Sequence, residues 1–182
     1  MEMARLQKAD SLARDIHLED SYGDDGPGNY FSDHILKVLL FFMDALRDGH
    51  MIPEKDTVED IQCAILLHDT IEDHPDELTL DNIEEVFGAE VADIVDIVTH
   101  RKNESYCEYI MRVVKDPRAC MVKFCDLVCN IREGKNGRKL NSYERQRMAK
   151  YELAAVIVIN ELAGMGMAKG EDDAGEERES GD

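Results

Sequence analysis

The sequence predicts an all-α protein, and three observations carry that reading. Apolar residues recur at intervals of three and four in one segment after another, the spacing that lines one face of a helix. Between those segments stand residues that start or stop helices, chiefly Ser, Thr, Asp, Gly and Pro. No stretch reads convincingly as a strand, and no internal repeat is present.

Taken in order, residues 3 to 18 form a first helix, with Leu6, Ala13 and Ile16 apolar among charges and His17 at its end. Leu18 to Asn29, which includes Gly23-Asp24-Asp25-Gly26-Pro27-Gly28, is a loop by its turn residues. Ser32 or Asp33 caps a helix to about Arg47, whose apolar positions include Ile35, Val38, Phe42 and Leu46. Gly49 and Pro53 break the chain, and a helix from about Thr57 to Glu72 follows, stopping near His74-Pro75. Thr79 caps a short helix, Leu80 to Phe87, ended by Gly88. Ala89 to about Thr99 is the next, with Val91, Ile94, Val95 and Val98 at helical spacing. His100-Arg101-Lys102-Asn103 is a basic junction before a helix from Glu104 to Val114. Asp116-Pro117 opens a helix to about Arg132, with Pro in its first turn. After a loop at Gly134 to Gly137, Asn141 or Ser142 caps a last helix to about Leu162. The expected organisation is one domain over residues 1–164 and an acidic, disordered tail over 165–182.

Composition narrows the function. The chain has 182 residues, 43% of them hydrophobic and 34% charged, the profile of a globular domain. Its net charge is −19, to which Lys169 to Asp182 contributes −5. A nucleic-acid partner is not expected, because phosphate backbones need a basic surface. Neither a signal peptide nor a membrane span is read, so the expected location is cytoplasmic. The cysteines at 63, 107, 120, 125 and 129 are odd in number and scattered, as reduced core thiols are.

One stretch organises the chemistry: Ala64-Ile65-Leu66-Leu67-His68-Asp69-Thr70-Ile71-Glu72-Asp73. On a continuous helix His68, Asp69, Glu72 and Asp73 fall within an arc of roughly 140°, on the face that Val58, Ile61 and Ile65 occupy upstream. A core stripe thus turns into an imidazole and three carboxylates. Unpaired burial of such groups costs several kcal/mol or more, and a divalent metal compensates them; the other reading is a solvated helix end. His34 lies one turn before Val38, as a helix-end histidine or a further ligand. In the helix from Pro117, the polar residues Lys123, Asp126 and Asn130 share one arc of roughly 60°. Either Lys123 and Asp126 pair with each other, or Asp126 joins the metal and Lys123 and Asn130 face an anionic ligand.

With these residues in view, the chain resembles the HD phosphohydrolase superfamily, and more closely the hydrolase domain of Rel/SpoT alarmone enzymes and small alarmone hydrolases. Gly28-Asn29-Tyr30-Phe31-Ser32-Asp33-His34 resembles the family's Gly-x-x-Tyr-x-x-His segment. His68-Asp69-Thr70-Ile71-Glu72-Asp73 matches its HD-x-x-ED signature. Thr79 to Gly88 and Val95 to Thr99 match the segment after it, and Lys123 to Asn130 matches Lys-x-x-Asp-x-x-x-Asn. Two departures stand out. The segment Glu19-Asp20-Ser21-Tyr22-Gly23-Asp24-Asp25 is acidic where the family carries basic residues, and Asp126-Leu127-Val128-Cys129-Asn130 replaces Asp-Arg-x-His-Asn.

The resemblance implies a single-domain helical bundle. It implies one divalent ion, Mn²⁺ first, on His34, His68, Asp69 and Asp126, with Glu72 and Asp73 handling protons. Lys123, Arg101 and Lys102 are the candidates to meet phosphate, Asn130 to hydrogen-bond a nucleotide, and Tyr106 or Tyr109 to stack on a base; core packing is the other reading of both tyrosines. The implied partner is a phosphorylated nucleotide, and a homo-oligomer is compatible with the sequence. The leading substrate is an alarmone cleaved at its 3′-pyrophosphate. A (deoxy)nucleotide phosphohydrolase with the same metal set and a non-catalytic nucleotide-binding module are the alternatives.

Overall fold

The computed structural model describes residues 3–22, 28–135, 137 and 139–169. Among them the elements are helical: α1 (Arg5–Ile16), α2 (Leu36–Arg47), α3 (Val58–Leu67), α4 (Thr70–Asp73), α5 (Leu80–Phe87), α6 (Ala89–Val98), α7 (Tyr106–Val113), α8 (Pro117–Gly134) and α9 (Ser142–Gly164). The all-α expectation therefore holds.

Local chemistry sets most of the helix starts. Thr79 and Asn82, Ser105 and Glu108, and Asn141 and Glu144 each satisfy the other's backbone N–H at the first turn of α5, α7 and α9. Asp116 accepts from the N–H groups of Arg118 and Ala119, with Pro117 as the first residue of α8. Between α5 and α6 the chain turns on Gly88 alone, at φ +92°, a conformation that favours glycine.

At the centre stands α3. Ile61, Cys63, Ala64, Ile65, Leu66 and Leu67 are all fully buried, so this helix is enclosed on nearly every side. It packs against α1, α2, α6 and α8. Helix α8 in turn lies along α9 and touches α2, α6 and α7. Cys63, Cys120, Cys125 and Cys129 are buried free thiols, and Cys107 is exposed. No helix among the described residues is long and apolar enough to cross a membrane.

Three boundaries differ from expectation. The helix expected from Thr57 to Glu72 is two helices, broken at His68 and Asp69. Side chains take the place of amides there: His68 Nδ1 bonds the carbonyl of Ile65 at 2.7 Å, and the Thr70 hydroxyl donates to that of Leu67 at 2.7 Å. The helix before Arg47 begins with a wide turn, described below. Lastly, residues 165–169, expected within the tail, pack on the chain: the Ile52 amide donates to Met167 O, the Lys169 amide to His50 O, and Ala168 is buried. The rest of the expected tail, 170–182, and the acidic glycine loop at 23–27 lie outside the described residues.

Candidate metal centre and its surroundings

Three elements converge on the buried polar centre. The first is a wide turn, Phe31–Ile35, in which the Leu36 amide donates to the Phe31 carbonyl five residues back. Such π-type turns re-aim side chains and recur at functional sites. This one buries His34, 1% exposed, while Phe31 and Ile35 anchor it in the core. The second is the break between α3 and α4, which holds His68 and Asp69. The third is α8, where Asp126 is buried between Lys123 and Asn130.

His34 Nε2 lies 3.2 Å from Asp126 Oδ1 and 3.6 Å from Asp69 Oδ2. His68 Nε2 lies 2.9 Å from Asp69 Oδ2 and 3.9 Å from Asp126 Oδ1. The ligating atoms of His34, His68 and Asp69 all stand within 4.8 Å of one another. The four residues predicted to hold an ion are thus brought together.

The donor chemistry fits an ion. His68 Nδ1 faces a carbonyl, so it carries the proton, and in the neutral ring Nε2 presents its lone pair to two carboxylates. That Nε2 is buried and makes no hydrogen bond. Only a proton or a cation resolves such an arrangement. Burial lowers the proton affinity of His68, but Asp69 and Asp126 outweigh it and raise the pKa to about 9. Burial likewise opposes the charge on Asp69 and Asp126. His68 overcomes it for Asp69, and Lys123 and His34 for Asp126, so both carboxyls lie well below the ordinary range. The centre holds two ionised carboxylates and draws positive charge.

Other expected residues fall in different places. Lys123 pairs with Asp126 Oδ2 at 2.7 Å, and Asn130 donates to the Asp126 carboxylate and to its backbone carbonyl. Both residues therefore brace Asp126. Glu72 and Asp73 are exposed at the rim. The backbone N–H of His100 donates to Glu72 at 2.9 Å. Asp73 is exposed as a residue, but packing around its carboxyl group partly desolvates it, and this with the charges of Asp69 and Glu72 pushes it up to about 6. Tyr109 is buried and its hydroxyl donates to the Val98 carbonyl, which is the packing reading. Tyr106 is partly buried with a buried hydroxyl that has no partner. Arg101 pairs with Asp96 at the surface, and Lys102 is exposed.

Two sets of residues went unselected in the sequence. Tyr30 donates its hydroxyl to Asp69 Oδ2 at 2.5 Å, and Tyr22 stacks on His34 with ring centres 5.3 Å apart. Tyr30 was visible in the Gly-x-x-Tyr-x-x-His segment. On α9, Arg147, Lys150 and Tyr151 sit at helical spacing. Lys150 lies 4.1 Å over the Tyr106 ring, and Tyr106 contacts Tyr151. Burial, then the charges of Lys123 and Arg147, lower the pKa of Lys150, so these cations are crowded together in a chain of net charge −19. The Arg147 Nε is buried without a partner. Their spacing was the available signal, but α9 carries other charges at similar intervals.

No family model matches the chain. It is 36% identical over 116 residues to the guanosine-3′,5′-bis(diphosphate) 3′-pyrophosphohydrolase MESH1 of Danio rerio, covering 61% of this chain and 62% of that protein. It is 35% identical over 135 residues to the guanosine-3′,5′-bis(diphosphate) 3′-pyrophosphohydrolase of Aquifex aeolicus, covering 70% of this chain, and 32% identical over 117 residues to a probable GTP pyrophosphokinase of Mycobacterium leprae, covering 59%. The chain spans only 17% and 14% of those two proteins. A solved structure described as a metazoan ortholog of SpoT that hydrolyzes ppGpp superposes with a TM-score of 0.69 at 19% identity, over 92% of this chain and 98% of that one. In sequence and in fold, the chain is similar to the HD-type hydrolase domain of the Rel/SpoT proteins.

Proposed function

We propose that the protein is a metal-dependent phosphohydrolase that removes the 3′-pyrophosphate of a guanosine or adenosine alarmone. The observation that carries this is the meeting of two buried imidazoles and two ionised carboxylates around an unpartnered His68 Nε2. His34, His68, Asp69 and Asp126 hold one divalent ion, Mn²⁺ by the family resemblance; the donor set also suits other first-row metals. When bound, the ion supplies Lewis-acid charge and makes a water acidic enough to attack phosphorus near neutral pH. Glu72, fixed by the His100 amide, orients that water. Asp73, whose pKa stands near 6, takes its proton and returns it to the leaving oxygen.

The cations on α8 and α9 supply the phosphate side. Burial and the charges of Lys123 and Arg147 lower the pKa of Lys150, a strain that a bound phosphate would relieve. Tyr106 and Tyr151 form the apolar wall for a base. Arg101 and Lys102, on the loop that carries His100, reach the outer phosphates, and Asn130 keeps Asp126 in place. A second reading, a (deoxy)nucleotide phosphohydrolase, is favoured by one observation: Glu19 to Tyr22 offers acids and no base for a second phosphate group.

The test is hydrolysis of ppGpp, ppApp, GTP, dATP, dGTP and a monophosphate with Mn²⁺, beside Asp69→Ala. Pyrophosphate release from an alarmone, lost about 10³-fold or more in the variant, is the expected outcome. Turnover of a 5′-triphosphate alone would transfer the protein to the second reading. Tight nucleotide binding without turnover would make it a non-catalytic module.

A further inference from the structure

The ends of α1 and α4 meet in a second cluster of ligating atoms, which the hydrolase chemistry above does not use. His17, just past α1, is fully buried, and its Nδ1 lies 2.6 Å from Asp20 Oδ2. His74, just past α4, brings Nε2 to 2.7 Å from the same oxygen. The ligating atoms of the three residues lie within 4.8 Å of one another. On the other side of the His74 ring, Nδ1 stands 3.1 Å from Glu77 Oε1. A carboxylate in that position orients the ring so that Nε2 faces inward, as in carboxylate–histidine–metal arrangements.

His17 is the most deeply buried of the three. Its Nε2 is buried and has no hydrogen-bond partner among the described residues, so the ring's polar attachment is through Nδ1, at Asp20. The Nδ1 edge is therefore the one that faces Asp20 and His74.

We propose that His17, Asp20 and His74 form a second divalent-cation site, of the Zn²⁺ class, separate from the centre on His34, His68, Asp69 and Asp126. Two imidazoles and one carboxylate suit Zn²⁺ and its first-row neighbours, whereas Mg²⁺ and Ca²⁺ prefer oxygen-only sets. Three protein ligands leave a fourth position for water. Ligands about 2.0–2.1 Å from a tetrahedral ion stand about 3.3 Å apart. The present 2.6 and 2.7 Å separations therefore open by roughly 0.6–0.7 Å on loading. His74, 18% exposed at the end of a four-residue helix, has room to move.

The position gives the site its role. It ties the segment leaving α1 to the residue ending α4. It lies one ring from Tyr30: the His17 and Tyr30 centroids are 5.1 Å apart, and the Tyr30 hydroxyl holds Asp69. Occupancy steadies that bond without adding a ligand to the first centre.

The second site is independent of what the protein hydrolyses. It is tested by equilibrium dialysis of the full chain against Zn²⁺ with elemental analysis of bound metal, and by Co²⁺ absorption spectra for coordination geometry. Wild type is expected to hold two ions. Asp69→Ala keeps the ion on His17, Asp20 and His74, and His74→Ala and Asp20→Asn each lose that ion, with circular dichroism confirming an unchanged helix content. One ion in wild type that survives Asp69→Ala and is lost in His74→Ala also supports the second site, and removes the first. Unchanged Zn²⁺ content in His74→Ala and Asp20→Asn, or none in Asp69→Ala, would overturn it.

Discussion

Tyr30 shows how one hydroxyl governs a ligand. Its donation to Asp69 Oδ2 fixes the carboxylate against His34 and His68, and burial beside Asp69 keeps the phenol protonated, with its pKa raised. Groups that orient metal ligands carry about 10–100-fold in metal affinity or activity. Tyr30→Phe is therefore expected to weaken Mn²⁺ binding by about that factor while keeping the fold. Isothermal titration checks this, and a change below about threefold would mean that the wide turn and α8 hold Asp69 without it. Asp73 makes a different residue-scale prediction. Its folded pKa, about 6, lies above the ordinary carboxyl value of 3.8, so the folded state holds this proton more tightly than the unfolded chain does. Its contribution to stability is thus most favourable at low pH and is lost as pH rises from about 4 through about 6. Carboxyl NMR of the metal-free protein should find Asp73 titrating near 6, and Mn²⁺ should lower that value, because a cation on Asp69 offsets the charges that raised it.

At the scale of elements, the loop from Thr99 to Ser105 is organised by one arginine on α7. Arg112 donates to the carbonyls of Asp96, Ile97 and Thr99 at the end of α6, and grips Glu104 with Nε and Nη2. The same loop presents the His100 amide to Glu72. Arg112→Met leaves three carbonyls and a carboxylate without their donor, and is expected to cost about 2–3 kcal/mol in a chemical melt. Turnover should fall more steeply than stability alone explains, because Glu72 loses its anchor. Gly28 is the corresponding point before the wide turn. A Cβ there would stand 2.5 Å from the Tyr22 carbonyl oxygen, so Gly28→Ala must displace backbone that precedes His34, at about 1–3 kcal/mol. These elements also mark what the sequence could convey. Caps and periodicity located most helices, because Thr79, Asp116 and Asn141 act locally. The break at His68 and Asp69 was illegible: it depends on side chains taking the Ile65 and Leu67 carbonyls, and no spacing rule announces that. That His34, His68, Asp69 and Asp126 would meet was legible because buried charge is rare and clusters. Tyr30, Arg147 and Lys150 were not singled out, since only the packed fold shows which tyrosine meets Asp69 and which cations converge.

Across the whole molecule, charge and structure pull in opposite directions. The chain carries 40 acidic residues against 21 basic ones, and many of the bases are already paired, as Arg5 is with Asp60, Lys37 with Glu133 and Arg47 with Asp44. The remaining excess of carboxylates repels itself across a surface of 11057 Å² for the chain. The folded state concentrates that charge and the unfolded chain spreads it, so screening favours folding. The Debye length falls from about 30 Å at 0.01 M to about 8 Å at 0.15 M, enough to silence all but neighbouring pairs. The internal pairs respond less, because the Asp126–Lys123 pair and Asp69 with its histidines are buried away from salt. The melting temperature is therefore expected to rise by about 2–8 °C between those two salt concentrations, the size of a 1–2 kcal/mol gain in a chain of this length. Differential scanning calorimetry in sodium chloride, with chelator present to keep both cation sites empty, measures it. A melting temperature that falls with salt would mean that surface ion pairs such as Arg47–Asp44 stabilise more than the net charge destabilises.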